Sequence, residues 1–387
     1  MPDGAAAPSA VERPDPLHLP DRRFLVCLGA GGVGKTTVAA ATAVAAAARG
    51  RRVLCMTVDP ARRLADSLGM APGATGDTPI PADRLRAAGI EPAGTLACSQ
   101  LDAGTAFERV IRGTAPDPAT ADRIVSNPLY RYFAESVAAI QEFTAMENML
   151  AARSDPRYDL VVIDTPPTSS AIDFLDAPRR VVEALDSPIV AWLADGPEAG
   201  GVARLAARTA RLAVRAMARM AGAGLMEQIG GLLADSRSLM AAFRARAEEV
   251  DRTLRSDEVG FLIVTTPEPP AVDEAIFLYD RLGAIGRTPE AFVVNRVRPG
   301  FGSCDAAGRR RREGRAVPPD PAARLRENLE RHNRLAGADE VEIARLRRRC
   351  GPGPKYSRLP MLDGDVHDLP AVARVAGLLF GAGTPPW

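Results

Sequence analysis

A nine-residue segment near the start of the chain has the residue types and the spacing of a phosphate-binding loop. It reads GAGGVGKTT from Gly29 to Thr37 and fits the pattern G-x-x-x-x-G-K-[ST]. Glycines let backbone N–H groups turn inward around a phosphate, and a helix that starts there adds positive potential. We therefore expect Lys35 to reach the β- and γ-phosphates of a nucleotide and the Thr36 hydroxyl to bind Mg²⁺. The nucleotide-binding residues predicted in this phosphate loop are Gly31, Gly32, Val33, Gly34, Lys35, Thr36 and Thr37.

The basic residue of this loop is unusual for the chain. Among 49 lysines and arginines, only Lys35 and Lys355 are lysine. A loop that closes around phosphate fits a compact ammonium, whereas a planar guanidinium is larger and more rigid. The alternative interpretation is a glycine-rich turn that binds nothing. Strand and helix patterns on either side of the loop favour the phosphate site.

The elements that must position this loop alternate along the chain. An alanine-rich helix is predicted over 35–48, and helical periodicity also runs from 119 to 152. Short apolar runs predict buried strands at 24–28, 52–58, 158–163, 261–265 and 291–294, with a weaker strand at 95–101. Because strands alternate with helices, we predict an α/β fold with a mostly parallel sheet flanked by helices.

Three segments depart from this alternation. Residues 1–20 are rich in Pro, Ala and Asp and are predicted to be a disordered N-terminal tail. Residues 190–256 show only helical character and are predicted to be a helical insertion. Residues 299–354 are polar and predicted to be a charged, partly mobile helical segment. The sequence therefore predicts one domain over 21–387 that contains both of these segments.

Composition excludes several classes of protein. The chain has 387 residues, 46% of them hydrophobic and 25% charged, so a wholly disordered chain is not expected. Its net charge of +1 gives no reason to expect a nucleic-acid partner. No apolar run approaches the roughly 20 residues of a membrane span, and no signal pattern precedes the loop, so a cytoplasmic location is expected. The five cysteines are widely spaced without CxxC, which disfavours a disulfide framework and a zinc site.

Further motifs carry a resemblance to a known family. The loop GGVGKTT is the deviant form found in ATPases that dimerise face to face. Residues 57–66, TVDPARRLAD, resemble the first switch of the ArsA-like ATPases. That family includes arsenite-transporter ATPases and the ATPase that targets tail-anchored membrane proteins. Residues 162–168 (VIDTPPT) and 173–178 (DFLDAP) resemble its second switch.

The resemblance continues through the second half of the chain. Three segments resemble the nucleotide-base region of the family: TPEP at 266–269, EA at 274–275 and VNR at 294–296. Near the end of the chain, LPML at 359–362 also resembles the family pattern. The resemblance thus spans about residues 24–381 and is closest to actinobacterial ArsA-like proteins that occur as paired, non-identical subunits. The fold that it implies is a P-loop NTPase with a helical insertion.

The resemblance also implies roles for individual residues. Asp59 orients or activates the attacking water and acts with Lys35 as a catalytic residue, although a helix N-cap is an alternative role. Asp164 follows a strand and is expected to hold Mg²⁺ through a water, the alternative being a structural turn aspartate. Asn295 resembles the adenine contact of the family, the alternative being an ordinary loop asparagine. Pro360 is predicted to contact the nucleotide as well.

The loop after Asp164 and the departures from the family pattern sharpen the predictions. Residues 165–167 form a stiff loop that could sense the γ-phosphate. Ala30 stands where the family has a lysine that crosses the dimer interface and neutralises charge on the γ-phosphate. Either Arg62 or Arg63 compensates, or a lysine-bearing partner subunit supplies the cation, or hydrolysis is slow. The chain is accordingly expected to form a heterodimer with such a subunit or a homodimer.

The cysteines differ from two ligand sets of the family. The zinc-binding CxxC of the tail-anchor targeting ATPase is absent, so no zinc is expected. Cys98, Cys304 and Cys350 do not reproduce the arsenite-ligand arrangement, so an arsenite role is not expected either. ATP or ADP with Mg²⁺ are the predicted ligands.

The helical insertion leaves its role open. Five of its arginines share one helical stripe opposite an apolar arc; they are Arg204, Arg208, Arg211, Arg215 and Arg219. A helix packed on the core with solvated arginines is the favoured interpretation. The alternatives are a methionine-bearing groove for a hydrophobic client or membrane-protein segment, and contact with an anionic membrane surface.

Three functions fit the sequence. The first is a dimeric ATPase that binds and hydrolyses MgATP and whose nucleotide state gates a partner or client surface. The second is a positioning ATPase of the ParA/MinD type, which usually lacks an insertion as long as 190–256. The third is a nucleotide-binding subunit with little catalysis of its own, which Ala30 supports.

Overall fold

The computed structural model describes most of the predicted strands and their flanking helices. The residues it describes are 17–18, 21–57, 64, 67–70, 76–100, 108, 111–113, 115, 117–126, 147–165, 171–185, 241, 244–301 and 319–381. They form one eight-stranded sheet in the order β3-β4-β2-β5-β1-β6-β7-β8. The strands are β1 (Phe24–Leu28), β2 (Arg52–Thr57), β3 (Gly76–Ile80), β4 (Thr95–Gln100), β5 (Leu160–Asp164), β6 (Val259–Thr265), β7 (Ala291–Val297) and β8 (Lys355–Pro360).

Neighbouring strands run parallel except at one edge, where β3 is antiparallel to β4. The six strands predicted from apolar runs are all present, with ends that differ by a few residues. The predicted α/β class with a mostly parallel sheet is therefore confirmed.

Helices cover both faces of this sheet. They are α1 (Lys35–Ala48), α2 (Ala82–Ala87), α3 (Pro118–Ser126), α4 (Ala171–Leu185), α5 (Pro269–Ala284), α6 (Pro319–Cys350) and α7 (Leu369–Phe380). Side chains of α1 and α7 join one buried apolar cluster, and most buried side chains of α5 and α6 join the other. None of the helices in the described ranges combines the length and apolar character that crossing a bilayer requires.

The central strands are apolar throughout because both of their faces are covered. FLVCL in β1 and LVVID in β5 are buried at every position. Helix α1 lies against them with eleven buried residues, most of which are alanines. Such small side chains let the helix approach the sheet closely, so the phosphate loop that precedes α1 is anchored at both of its ends.

The two edge strands were not predicted. In β3 only Ile80 is buried, and the strand contains Pro79, which is tolerated at a sheet edge. In β8 buried residues alternate with more exposed ones. Neither strand has the continuous apolar run that marks a central parallel strand, because an edge strand is only half covered.

In the charged segment predicted over 299–354, the described residues include one long helix, α6, and β8 begins just after the segment, at Lys355. Within α6, Asp339 is 1% exposed and accepts hydrogen bonds from the backbone N (2.8 Å) and Nη1 (2.7 Å) of Arg298. Arg345 forms an ion pair of 2.7 Å with Asp273 of α5. The C-terminal half of this helix therefore contacts the end of β7 and helix α5, and the predicted partial mobility of the segment stays a prediction. Residues 302–318 lie outside the described residues.

The other two predicted segments are described only in part. In the predicted insertion at 190–256, the structure describes residue 241 and a helical segment over 244–255. The five stripe arginines lie outside the described residues. In the predicted tail at 1–20, Leu17 is buried and its N–H donates to the carbonyl of Leu379 in α7 at 2.8 Å, so the chain packs on the fold at this residue.

Candidate functional site

The phosphate loop connects β1 to α1 at the carboxyl edge of the sheet, and two of its glycines are required by neighbouring atoms. Gly29 has a φ of 149°, and a Cβ there would lie 2.0 Å from the carbonyl oxygen of Val264 in β6. Gly34 has a φ of 99°, and its Cβ would lie 2.3 Å from Nδ2 of Asn295. A side chain at either position would have to displace a neighbour and adopt a strained backbone.

Lys35 lies inside this loop. Its side chain is buried, and Nζ donates to the carbonyl oxygens of Gly29 (2.9 Å) and Ala30 (2.8 Å). The loop residues on the open side, where a Cβ would meet nothing within 4 Å, are Gly31 and Gly32. The hydroxyl residues at the start of α1, which are half-buried, are Thr36 and Thr37. The loop therefore combines an internal cation with accessible backbone, an arrangement suited to a polyphosphate.

Asp164 lies beside the loop because β5 is inserted between β1 and β2. Its Cα is in register with Cys27 of β1 and with Thr57 of β2. The side chain is fully buried, and its Oδ2 accepts a hydrogen bond of 3.2 Å from the Thr57 hydroxyl. The next residue, Thr165, donates its hydroxyl to the carbonyl of Cys27 at 2.7 Å. Thr57 of β2 thus holds the carboxylate, while Thr165 ties the chain that follows it to β1.

Asn295 contacts the phosphate loop directly. It is 8% exposed, and its Nδ2 donates to the carbonyl of Val33 at 2.8 Å. Its Oδ1 accepts a hydrogen bond from the backbone N of Arg296 at 2.9 Å, and Arg296 has a φ of 59°. Pro360 ends the adjacent strand at the same edge, in register with Val297. The predicted base contacts of Asn295 and Pro360 stay predictions, and the bond to Val33 is an additional role of Asn295.

Several predicted site residues lie outside the described residues. They are Asp59, Arg62, Arg63, Pro166 and Pro167. Strand β2 ends at Thr57, two residues before Asp59. The predicted water-orienting role of Asp59 and the compensating roles of Arg62 and Arg63 therefore stay predictions.

Two residues that lie in the family motifs, but to which the sequence assigned no individual role, belong to this site. Thr57 donates to Asp164, and this contact could have been found only from the register of β2 against β5. Glu274 in α5 interacts electrostatically with Lys35, and burial raises the pKa of its carboxyl group while Lys35 lowers it. The glutamate is part of a motif that resembles the family, yet its burial depends on how α5 packs.

The cysteines of the described part of the chain are buried free thiols. Burial and the negative charge of Asp164 raise the pKa of Cys27, and Lys35 opposes that shift. Burial also raises the pKa of Cys55, and that of Cys98 to about 12. These thiols are protonated near neutral pH and pack as small apolar side chains.

The oxygen atoms at this edge of the sheet suit a magnesium ion. Asp164 contributes a buried carboxylate, and Thr36 contributes a half-buried hydroxyl at the start of α1. Mg²⁺ prefers hard oxygen ligands and usually takes only one or two protein groups, the rest of its shell being water and substrate phosphate. The residues present therefore fit Mg²⁺.

Comparison with known proteins places this geometry in context. A family model described as anion-transporting ATPase (ArsA type) matches residues 22–316. An arsenical pump-driving ATPase from Escherichia coli is 28% identical over 268 residues, 61% of this chain and 45% of that protein. One from Acidiphilium multivorum is 31% identical over 177 residues, 46% of this chain and 29% of that protein. The ATPase GET3 of Podospora anserina is 24% identical over 294 residues, 75% of this chain and 78% of its own length. The chain therefore spans less than half the length of these pump-driving ATPases.

Proposed function

The chain belongs to the ArsA-type family of ATPases, and on that premise we propose that it binds MgATP in the phosphate loop and hydrolyses it. The observation that carries this proposal is the position of Lys35. Its ammonium is held inside the loop by the carbonyls of Gly29 and Ala30, with buried Asp164 at the end of the adjacent strand. A cation and a buried carboxylate at one strand edge are what a magnesium–polyphosphate complex needs.

Each group then acts through its ordinary chemistry. Lys35 donates to β- and γ-phosphate oxygens. Thr36 would hold Mg²⁺ together with Asp164, the latter through a water, and the ion would supply positive charge that offsets the charge of the phosphates. Asp59 orients the attacking water, and Asn295 with Pro360 contacts the base. No zinc takes part.

Two substitutions test binding and catalysis separately. Lys35→Ala removes the cation and is expected to weaken MgATP binding by about 10- to 100-fold, since hydrogen bonds to charged groups contribute about 1.5–3 kcal/mol. Lys355→Ala, at the other lysine of the chain, is the matched control because Lys355 is exposed on β8. Asp59→Asn is expected to keep binding and lose most single-turnover hydrolysis.

Titration calorimetry and single-turnover assays give clear outcomes. If Lys35→Ala binds MgATP as tightly as the wild type and Lys355→Ala, the phosphate site is wrongly assigned. If Asp59→Asn hydrolyses ATP at the wild-type rate, another group orients the water.

The proposal extends to a dimer. Ala30 is half-buried, packs on the apolar cluster under α1 and brings no cation to a facing site. A cation supplied across an interface contributes about 10³- to 10⁵-fold in related phosphoryl transfer, so the chain alone is expected to be a slow ATPase. A homologous subunit with lysine at this position is the proposed partner, and mixing the two should raise turnover at this chain's site. Fast turnover by the chain alone would contradict this pairing.

We propose that the bound nucleotide controls whether the protein exposes a surface for a partner or for a hydrophobic client. A supporting contact links a predicted switch to the site. The second-switch segment continues into α4, where Asp176 forms an ion pair with Arg281 of α5. Helix α5 in turn follows β6, which packs on Gly29 of the phosphate loop. A weakly catalytic subunit of a heterodimer is the second candidate, which Ala30 favours.

A further inference from the structure

Thr57 places a hydroxyl group at the buried end of an otherwise apolar strand. Residues 53–56 of β2 are apolar and buried, and Thr57, which ends the strand, is 0% exposed. A hydroxyl enclosed in the core is unfavourable unless it forms a hydrogen bond. A threonine at this position therefore needs a polar group beside it, which a valine of the same shape would not.

Asp164 is the polar group that the Thr57 hydroxyl meets. The two residues are in register on the parallel strands β2 and β5, so their side chains leave the same face of the sheet. Oγ1 of Thr57 donates to Oδ2 of Asp164 at 3.2 Å. On the other side of β5, the register neighbour of Asp164 is Cys27, whose thiol is a weaker donor than a hydroxyl. Of these two neighbours, Thr57 is therefore the better able to orient the carboxylate.

This hydrogen bond restricts the orientation of the carboxylate. The terminal torsion of an aspartate has a broad energy well, so the backbone of β5 alone does not set the plane of the carboxyl group. A bond to Oδ2 selects one plane and thereby also determines where the second oxygen lies. Mg²⁺ demands near-ideal octahedral geometry, so its site tolerates little variation in the position of an oxygen that holds one of its waters.

We propose that Thr57 is a positioning residue for the magnesium site and acts on it through Asp164. The proposal rests on the proposed binding of MgATP, and it assigns to Thr57 a share of the preference for nucleotide with Mg²⁺ over nucleotide without it. Strand β2 ends at Thr57, two residues before Asp59. The same hydrogen bond therefore joins the start of the predicted first switch to the strand that carries the magnesium carboxylate.

Thr57→Val tests this role, because it keeps the shape of the side chain and removes the donor. The affinity for ADP in Mg²⁺, divided by that in EDTA, is expected to fall about tenfold. This is the lower end of the effect of groups that orient a metal ligand, since 3.2 Å is long for a hydrogen bond between two oxygens. Binding of ADP in EDTA should stay as in the wild type, because the phosphate loop is unchanged. Thr57→Ala should give the same fall, and Thr57→Ser, which keeps the hydroxyl, should restore the wild-type ratio.

Thr253→Val is the matched control. Thr253 is 3% exposed, and its hydroxyl donates to the carbonyl of Glu249 at 2.9 Å in the helical segment 244–255. That segment leads into the amino end of β6, at the opposite edge of the sheet from the phosphate loop. The control thus removes a buried hydroxyl far from the magnesium site and should leave the ratio unchanged.

Calorimetric titrations with ADP, together with urea unfolding of each variant, decide the question. An unchanged or higher ratio in folded Thr57→Val and Thr57→Ala overturns the proposal. So does an equal loss of affinity in Mg²⁺ and in EDTA, or a fall that Thr57→Ser shares in full, because either marks a role in the fold alone. If the wild-type chain binds ADP neither with Mg²⁺ nor in EDTA, the proposed function fails, and this inference fails with it.

Discussion

Gly34 is the position in the phosphate loop where a side chain should be tolerated least. Its φ of 99° lies in the region that L-residues avoid, and a Cβ there would lie 2.3 Å from Nδ2 of Asn295. That nitrogen donates to the carbonyl of Val33 at 2.8 Å. An alanine at position 34 must therefore displace the amide and leave a buried carbonyl without its donor.

The loss of stability expected for Gly34→Ala has two parts, the strained backbone and the lost hydrogen bond. A left-handed backbone costs a non-glycine residue about 1–2 kcal/mol, and a buried acceptor that loses its donor costs about 1–3 kcal/mol. We expect the free energy of unfolding to fall by about 2–5 kcal/mol. Gly32→Ala is the control, because Gly32 has a φ of 77° but nothing within 4 Å of its Cβ position. Gly32→Ala should lose only the part of the stability that the strained backbone accounts for.

Urea unfolding followed by circular dichroism measures the difference between the two variants. The extra loss in Gly34→Ala should disappear when Asn295 is also replaced by alanine, since the displaced amide is then absent. Two outcomes would refute the reasoning. Equal destabilisation by Gly34→Ala and Gly32→Ala is one, and an extra loss that survives the Asn295→Ala background is the other.

Two further predictions concern charged groups that hold the fold. Asp339→Ala removes the buried acceptor of Arg298 and should lower the free energy of unfolding by about 2–4 kcal/mol in urea titrations, whereas the adjacent, exposed Glu340→Ala should change it by under about 1 kcal/mol. Hydrogen bonds and the charge of Arg52 lower the pKa of Asp159 from 3.8 to about 2. The native state therefore gains stability from Asp159 above pH 4 and loses it as the pH falls towards 2. Asp159→Asn should be less stable than the wild type at pH 7, with the difference vanishing near pH 2.

The central half of the fold could be predicted because its strands are unbroken apolar runs. Residues 24–28 and 160–164 are buried at every position, so composition alone identifies them as strands covered on both faces. The edges could not be predicted in this way. Only one residue of β3 is buried, and β8 alternates between buried and more exposed residues, so local sequence resembles a loop. The antiparallel pairing of β3 depends on its long-range partner β4.

The site, too, could be predicted only in part. The phosphate loop was predictable because its spacing and flanking elements are local properties of the chain. The hydrogen bond between Thr57 and Asp164 arises from the register of two strands that are over a hundred residues apart in sequence. The bond from Asn295 to Val33 spans an even longer separation. Contacts of this kind depend on strand order, which the residues of one segment do not reveal.

Strand order also explains the balance of charge at the site. Because β5 lies between β1 and β2, Asp164 is fixed at the end of its strand beside the loop that carries Lys35. The buried carboxylate of Asp164 would repel a polyphosphate that enters without a cation. In the proposed function, Mg²⁺ entering with the nucleotide would offset that charge. The affinity for nucleotide should therefore depend steeply on Mg²⁺, and Asp164→Asn should weaken that dependence in calorimetric titrations with and without the ion.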